Sequence, residues 1–228
     1  MNSGFSDVLI IIPAFNEETK VSDVISDLLN SGFKNIVVID DGSRDKTCEK
    51  VQKTKAKLLK HPINIGVGGA TSTGLEYARQ KDFQYAITVD SDGQHDIKDI
   101  KKIANEIKKD ECDFIIGSRL KNMKNINGIR FYGNHFMDFA TAILCGKYTE
   151  DTQSGLRAFN KNALSKIQPV SSGYEVSSEI IVQAIRGNLK ISTIPIAAIY
   201  TEYSLKKGQK ISNAIRVIRN LALNQRFN

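Results

Sequence analysis

Two carboxylates, one residue apart, follow a short apolar run. Asp90 and Asp92 come directly after Tyr85–Val89, and Gly93-Gln94 continues the turn. In a strand-to-loop turn both carboxylates can reach one hard cation. Mg²⁺ and Mn²⁺ favour oxygen ligands of this kind, with water and phosphate oxygens at the remaining positions. An Asp-Ser-Asp-Gly segment can also form a turn without any ligand, so the metal interpretation needs support from other groups nearby.

A second acidic pair supplies that support. Asp40-Asp41 closes the apolar run Ile36–Ile39, just before Gly42-Ser43. If both runs are strands of one parallel sheet, their carboxyl ends lie at the same edge, which is where such sheets bind ligands. The sequence therefore predicts a site for Mg²⁺ or Mn²⁺ at this edge.

A glycine-rich segment, Gly66-Val67-Gly68-Gly69, precedes a helical pattern at Ala70–Arg79. Glycines at this place would let backbone N–H groups approach a phosphate at the helix N-terminus. The segment lacks the full GxGxxG fingerprint of dinucleotide-binding proteins. A turn that packs the helix closely against the sheet explains the glycines equally well, and both interpretations stay open here.

The elements that must position these groups alternate between strand and helix. Apolar runs predict strands at Val8–Ile12, Ile36–Ile39, Lys57–Lys60, Tyr85–Val89 and Phe114–Ile116. Helix-period patterns lie between them, at residues 21–29, 45–55, 70–79 and 97–107. This alternation predicts an α/β fold with a Rossmann-like, doubly wound and mostly parallel sheet.

The pattern becomes less regular after Ser118. We expect a helix at Arg130–Leu144, a strand at Leu156–Phe159, a helix at Glu175–Arg186 and a strand at Ile191–Ile194. No repeat or linker divides the chain, and 228 residues suffice for one sizeable core but not for two full domains. We therefore predict a single domain over residues 1–205, followed by a basic amphipathic helix over residues 206–228.

Positive charge is concentrated at the C-terminal end. The last 26 residues contain six basic side chains and no acidic one, whereas residues 1–202 carry 26 basic and 25 acidic groups. Such a tail predicts an anionic partner. Ile211, Ile215, Ile218 and Leu221 share one helical stripe flanked by Arg219. A helix lying on an anionic membrane surface fits this pattern, and so does a last helix packed on the domain.

The cysteines and the hydropathy of the sequence indicate in which cellular compartment the protein works. Cys48, Cys112 and Cys145 form no CxxC or Cys/His pattern, so neither a disulfide framework nor a structural zinc site is predicted. The first residues, MNSGFSD, do not read as a signal peptide. No apolar run approaches the roughly 20 residues of a membrane span. We expect a cytoplasmic protein, peripheral on the cytoplasmic face of a membrane.

Several segments, taken in order, resemble family 2 glycosyltransferases. They are Ile12-Pro13-Ala14-Phe15-Asn16-Glu17-Glu18, Ile39-Asp40-Asp41-Gly42-Ser43, Asn64-Ile65-Gly66-Val67-Gly68-Gly69-Ala70, Asp90-Ser91-Asp92-Gly93-Gln94 and Gly117-Ser118-Arg119. The run Asp151-Thr152-Gln153-Ser154-Gly155-Leu156-Arg157 is similar to the polyprenyl-phosphate branch, typified by dolichyl-phosphate mannose and glucose synthases. The resemblance covers about Val8 to Ser212. It implies a GT-A fold and inverting transfer of a hexose from a GDP- or UDP-sugar to a polyprenyl phosphate.

The same resemblance implies roles for individual residues. Contacts with the nucleotide base and ribose would come from Pro13, Phe15, Glu17, Ile39 and Asp41. The metal, and through it the diphosphate, would be held by Asp90, Asp92 and Gln94, with Ser91 as a further substrate contact. The phosphates of donor or acceptor would face Arg119 and Arg130. The late loop Lys206-Lys207-Gly208-Gln209-Lys210-Ile211-Ser212 departs from the family order, and Lys210 is the favoured contact with the diphosphate.

The acceptor decides whether the enzyme needs a base. A phosphate monoester has a second pKa of about 6 and is already a nucleophile at neutral pH. A sugar hydroxyl needs a carboxylate to take its proton, and Asp151 is then the candidate. The catalytic candidates are therefore Asp92, Asp151 and Arg119, with transfer to the hydroxyl of a glycan or glycolipid as the alternative function.

Two other classes are disfavoured. A nucleic-acid-binding module is unsupported, because the excess charge lies at one end and aromatic-plus-basic stacking platforms are missing. A nucleotidyltransferase would want a glycine- and lysine-rich phosphate loop after the first strand. Pro13-Ala14-Phe15-Asn16-Glu17 is acidic and contains no glycine.

Overall fold

A computed structural model describes residues 4–119 and 151–197 of the chain. The strands are β1 (Val8–Ala14), β2 (Asn35–Asp40), β3 (Lys57–Lys60), β4 (Tyr85–Thr88), β5 (Phe114–Ser118), β6 (Arg157–Asn160) and β7 (Ile191–Pro195). The helices are α1 (Val21–Asn30), α2 (Thr47–Gln52), α3 (Val67–Gln80), α4 (Ile97–Ile107), α5 (Lys161–Lys166) and α6 (Val176–Arg186).

The seven described strands form one sheet in the order β3-β2-β1-β4-β6-β5-β7. Every neighbouring pair is parallel except the two pairs made by β6, which runs antiparallel between β4 and β5. The predicted α/β fold with a mostly parallel sheet is thereby confirmed. Because β6 runs in the opposite direction, its first residue, Arg157, lies opposite Thr88 and Ile116 near the carboxyl ends of β4 and β5.

The core lies on both faces of the sheet. Along β1, Ile10 and Ile12 pack on the face that carries α1 and α4, whereas Leu9 and Ile11 pack on the face that carries α3, α5 and α6. All four side chains are essentially inaccessible to water. A strand buried on both faces reads as a continuous apolar run, which is why β1 shows no polar alternation in the sequence.

Most predicted elements are confirmed to within a few residues, and both bounds of β3 and α4 are as predicted. The sequence did not predict α5, a six-residue helix whose N-cap Asn160 accepts a hydrogen bond from the Ala163 N–H. The helix expected at Arg130–Leu144 and the basic helix expected at 206–228 lie outside the described residues. None of the described helices is long and apolar enough to cross a bilayer.

A glycine in α3 sets how closely this helix approaches the sheet. A Cβ on Gly74 would collide with the Cγ2 methyl of Ile11 and come within 3.2 Å of Ile39 Cδ1. Both isoleucines are fully buried in the strands beneath, so they have no room to move. The close contact between α3 and β1 therefore requires the absence of a side chain at this position.

We predict that Gly74→Ala lowers the free energy of unfolding by ~1–3 kcal/mol through overpacking, despite the better helix propensity of alanine. Urea unfolding followed by circular dichroism measures the change. Gly69→Ala in the same helix is the matched control, because its Cβ would meet only the side chain of the half-exposed Ile65. Equal stability of the two variants would contradict the packing argument.

Candidate active site

A cleft of about 620 Å³ lies at the carboxyl edge of the sheet. Eight residues predicted from the sequence line it: Pro13, Phe15, Glu17, Asp41, Asp90, Ser91, Asp92 and Gln94. These residues come from the end of β1 and from the loops after β1, β2 and β4, and the other lining residues come mainly from the loop before α3, the start of α3 and the segment with Gly173 and Tyr174. A cleft of this size and position is suited to a nucleotide-sized ligand.

The loops after β1 and β2 are joined by hydrogen bonds. The N–H of Asn16 donates to Ser43 Oγ over 2.9 Å, and the N–H of Glu17 donates to Thr47 Oγ1 over 2.8 Å. In the other direction, the Arg44 N–H donates to Asn16 Oδ1. Asn16 has a left-handed backbone with φ 54°, a conformation that asparagine tolerates better than most residues. These contacts fix Phe15 and Glu17 at the cleft, where the side chain of Phe15 is 40% exposed.

Asp41 organises the next loop. Its carboxylate accepts hydrogen bonds from the N–H groups of Ile65 (3.0 Å) and Gly66 (2.8 Å) and pairs with His61 Nδ1 at 2.8 Å. Its side chain is only 3% exposed, although it borders the cleft. In this structure Asp41 holds residues 61–66 in place. Its predicted direct contact with the nucleotide stays a prediction.

The glycine-rich segment packs against protein. The N–H groups of Gly68 and Gly69 both donate to the carbonyl of Ser172, and a Cβ on Gly66 or Gly68 would collide with the backbone of residues 171–173. Gly66 also has φ 98°, which a residue with a side chain rarely adopts. The glycines therefore permit close packing, but against residues 171–173 and not against the sheet as the second interpretation supposed.

Glu179, on α6, fixes the segment that meets these glycines. Its carboxylate accepts from the Val170 N–H (2.9 Å) and the Ser171 N–H (2.8 Å). Tyr174 follows in the same segment, is 45% exposed and lines the cleft. Two parts of the chain about 100 residues apart in sequence therefore form one wall of the cleft.

Asp90 and Asp92 are close enough to affect each other's ionisation. Burial and the negative charge of Asp90 raise the pKa of Asp92 above its ordinary value. The loss of solvation around Asp90 opposes ionisation of its carboxyl group. A hydrogen bond with His95 and the positive charges of Arg119 and Arg157 nevertheless hold the pKa of Asp90 below the ordinary value. A bound cation would relieve the repulsion that Asp92 experiences.

The donor set fits a hard divalent cation. The side chain of Asp90 is 48% exposed, and both carboxylates line the cleft. Asp92 accepts from the backbone N–H of Gln94 at 3.0 Å and also contacts the Gln94 carboxamide, which places all three predicted ligands together. Within residues 4–119 and 151–197, no three acidic, histidine or cysteine side chains form a metal cage. Two carboxylates with substrate phosphate oxygens are a usual arrangement for Mg²⁺.

His95 is a candidate that was not among the site residues predicted from the sequence. Its Nε2 lies 3.0 Å from Asp90 Oδ2, and its side chain is 5% exposed. The imidazole therefore orients the Asp90 carboxylate from the protein side and leaves it open to the cleft. Proximity in sequence was the only signal for this residue, because the orientation of its ring depends on how the turn folds.

Arg119 and Asp151 form a buried pair. Asp151 is fully buried and accepts from the backbone N–H, Nε and Nη2 of Arg119 at 2.7–2.9 Å. Both oxygens of Asp151 are engaged by these donors and the residue has no exposed surface, so it is poorly placed to reach a proton of a substrate. The geometry therefore disfavours Asp151 as a general base and favours it as the residue that orients Arg119, whose side chain is 23% exposed.

One predicted substrate contact is wrong. The side chain of Ile39 is fully buried under α3 and packs in the core, so it does not reach the nucleotide cleft. Ile39 lies inside β2, and both faces of this strand are covered, so an apolar side chain there faces helices whichever way it points. Arg130 and Lys210, also predicted as substrate contacts, lie outside the described residues.

Comparison with known proteins identifies the family of the chain. Residues 9–168 match the family model for glycosyl transferase family 2. The chain is 37% identical to a UDP-N-acetylglucosamine–dolichyl-phosphate N-acetylglucosaminyltransferase of Methanococcus voltae, over 95% of each chain. It is 30% identical to a dolichyl-phosphate β-glucosyltransferase of Saccharomyces cerevisiae, over 94% of this chain and 72% of the yeast protein.

A solved structure shares the fold. Glucosyl-3-phosphoglycerate synthase from Mycobacterium tuberculosis, in complex with Mn²⁺, UDP and glucosyl-3-phosphoglycerate, superposes with a TM-score of 0.70 at 16% identity. The match covers 93% of this chain and 76% of the mycobacterial protein. The GT-A fold expected from the sequence is confirmed, and so is the resemblance to the polyprenyl-phosphate branch. The chain belongs to glycosyl transferase family 2.

Proposed function

We propose that this glycosyltransferase moves a hexose or N-acetylhexosamine from a UDP-sugar to a polyprenyl phosphate, with inversion at the anomeric carbon. The observation that carries the proposal is the cleft in which Asp90, Asp92 and Gln94 converge. Matches over nearly the whole chain to two dolichyl-phosphate sugar transferases support the acceptor. The UDP-N-acetylglucosamine named for the M. voltae relative supports UDP over GDP, the other donor expected from the sequence.

The chemistry follows from the charges in the cleft. When bound at Asp90 and Asp92, a divalent cation would neutralise charge on the diphosphate leaving group. Arg119, paired with Asp151, is the residue that we assign to a phosphate of the donor or acceptor, although it lines neither the cleft nor its neighbouring cavity. The acceptor phosphate is a nucleophile at neutral pH, so the reaction requires no protein base. This agrees with the pairing of Asp151, whose oxygens already accept from Arg119.

Inversion is the stereochemical outcome of a single displacement. The acceptor oxygen attacks the anomeric carbon on the side opposite the departing UDP, through an oxocarbenium-like centre. The name of the yeast relative specifies a β-glucosyl product, which an α-linked nucleotide sugar would give with inversion. A lipid-linked acceptor further implies work at a membrane surface, and the basic segment after residue 205 is the part proposed to bind it.

We predict that incubation with Mn²⁺ and UDP-glucose or UDP-N-acetylglucosamine yields a sugar-labelled lipid only when a polyprenyl phosphate is present. Extraction into organic solvent and mass spectrometry identify the product. GDP-mannose is the matched donor control. If GDP-mannose were the one donor used, the assignment of a UDP-sugar donor would be wrong. Transfer only to soluble glycans would favour the alternative in which the acceptor is a sugar hydroxyl.

The metal site makes a second prediction. Asp92→Asn should lose Mn²⁺-dependent transfer, because a neutral amide replaces one of two carboxylates and several kcal/mol of leaving-group stabilisation disappear. Circular dichroism should show an unchanged fold. Asp27→Asn, an exposed site on α1, is the matched control. Near wild-type turnover in Asp92→Asn, or activity in excess chelator, would overturn the metal assignment.

The acceptor makes a third prediction. Asp151→Asn should lower kcat by much less than the roughly 10²–10⁴-fold loss that is typical of a missing general base, because the substitution disturbs only the orientation of Arg119. The pH–rate profile should show one limb near the acceptor's second pKa of about 6. A loss within the general-base range, together with no transfer to any polyprenyl phosphate, would move the enzyme to the hydroxyl-acceptor class.

The basic C-terminal segment makes a fourth prediction. Replacing Arg216, Arg219 and Arg226 with Gln should weaken binding to anionic vesicles by up to ~3 kcal/mol, at about 1 kcal/mol per basic residue near the surface. Salt should release the wild-type protein, because the attraction is screened. Co-sedimentation measures binding, and transfer to a short soluble acceptor should be spared. Equal vesicle binding by the variant would assign the segment a structural role.

A further inference from the structure

A second, smaller cavity of about 130 Å³ adjoins the cleft. The two share four lining residues, Pro13, Val67, Asp90 and Tyr174, so the smaller cavity borders the cleft next to Asp90. Gln153 and Arg157, from the segment that leads into β6, line only the smaller cavity. Neither residue has been assigned a contact with a ligand so far.

Arg157 is a buried cation with unused hydrogen-bonding capacity. Only 3% of the residue is exposed, and its Nη2 donates to the Thr152 carbonyl over 2.7 Å. Its Nε has no hydrogen-bond partner within the part of the chain that the structure describes. A buried N–H without a partner is unfavourable, so a ligand atom that accepts from it would stabilise the protein.

The charge of Arg157 is already balanced. Burial lowers its pKa to about 10, while the nearby carboxylates of Asp90 and Asp151 favour the charged form. The guanidinium is therefore protonated at neutral pH, and two carboxylates oppose its charge. A second phosphate here would meet these carboxylates as well as the arginine, so a neutral oxygen acceptor such as a hydroxyl is the better ligand.

Gln153 adds a second polar group to the same cavity. One N–H of its carboxamide donates to Ser178 Oγ over 3.2 Å. A carboxamide has a second N–H and a carbonyl oxygen, which suit the mixed donor and acceptor character of a hydroxyl group. The shared residues Pro13 and Val67 and the α6 residue Val176 give the cavity apolar walls as well. A pyranose ring has both kinds of surface, hydroxyl groups and apolar C–H faces.

We propose that the smaller cavity receives the transferred sugar of the donor and that Arg157 and Gln153 hydrogen-bond to its hydroxyl or amide oxygens. The inference rests on the proposed function, because a sugar attached to the diphosphate lies next to Asp90. Both residues are then specificity-determining. A donor that places no oxygen at Arg157 leaves a buried N–H unpaired and is rejected for that reason.

The test compares, in each protein, the affinity for a UDP-sugar with the affinity for UDP. Calorimetric titration in Mn²⁺ gives the Kd of UDP, UDP-glucose and UDP-N-acetylglucosamine for wild type, Arg157→Lys and Gln153→Ala. Arg157→Lys keeps the charge that balances Asp90 and Asp151 but removes the Nε donor. For the sugar that the enzyme uses, each variant should raise the ratio of the UDP-sugar Kd to the UDP Kd by roughly tenfold, as expected for one lost hydrogen bond to a buried cation.

Arg79→Lys is the matched control. Arg79 Nη1 donates to the Leu164 and Ile167 carbonyls and lines neither cavity, so its variant should leave the ratio unchanged. If wild type binds UDP and both cavity variants keep the wild-type ratio, this inference is wrong and the proposed function stands. If wild type binds no UDP, the donor assignment fails and the inference fails with it. Should Arg157→Lys not fold, Gln153→Ala decides alone.

Discussion

Asp90 and Asp92 lie side by side at the carboxyl edge of the sheet, in a cleft that Glu17 also lines. Burial and the charge of Asp90 oppose ionisation of Asp92, so the arrangement is costly unless a cation is bound. His95 contacts Asp90 from within the protein, and Gln94 contacts Asp92. This concentration of negative charge makes the cleft suitable for a divalent cation and a nucleoside diphosphate, and it is the constraint that the rest of the site serves.

The scaffold brings distant parts of the chain to that edge. Asn16 and Ser43 link the loops after β1 and β2, and Asp41 holds the loop before α3. Strand β6 runs opposite to its neighbours, so its first residue, Arg157, lies beside the acidic strand ends instead of at the far edge. The antiparallel strand β6 therefore places the buried guanidinium of Arg157 next to the carboxylates.

The sequence predicted what local patterns determine. Apolar runs located the strands, and acidic residues at strand ends located Asp41, Asp90 and Asp92 of the cleft, whereas the family resemblance supplied Pro13, Phe15, Glu17, Ser91 and Gln94. It could not predict that β6 inserts between β4 and β5, because this pairing joins residues about 70 and 40 positions apart. The contact expected of Ile39 came from the family resemblance, and the sequence could not correct it, because a strand covered on both faces has no alternation to show which way a side chain points. The pairing of Asp151 with Arg119, and of Gly68 with Ser172, likewise depends on long-range packing.

The metal site can be tested by a crystal structure with Mn²⁺ and UDP, using the anomalous signal of manganese. We expect one manganese ion at the Asp90 and Asp92 carboxylates, next to the diphosphate, with the uridine between the loops that carry Phe15 and Tyr174. A diphosphate bound in the cleft with no manganese at Asp90 or Asp92, under excess Mn²⁺, would contradict this expectation. So would UDP bound at any other surface of the protein.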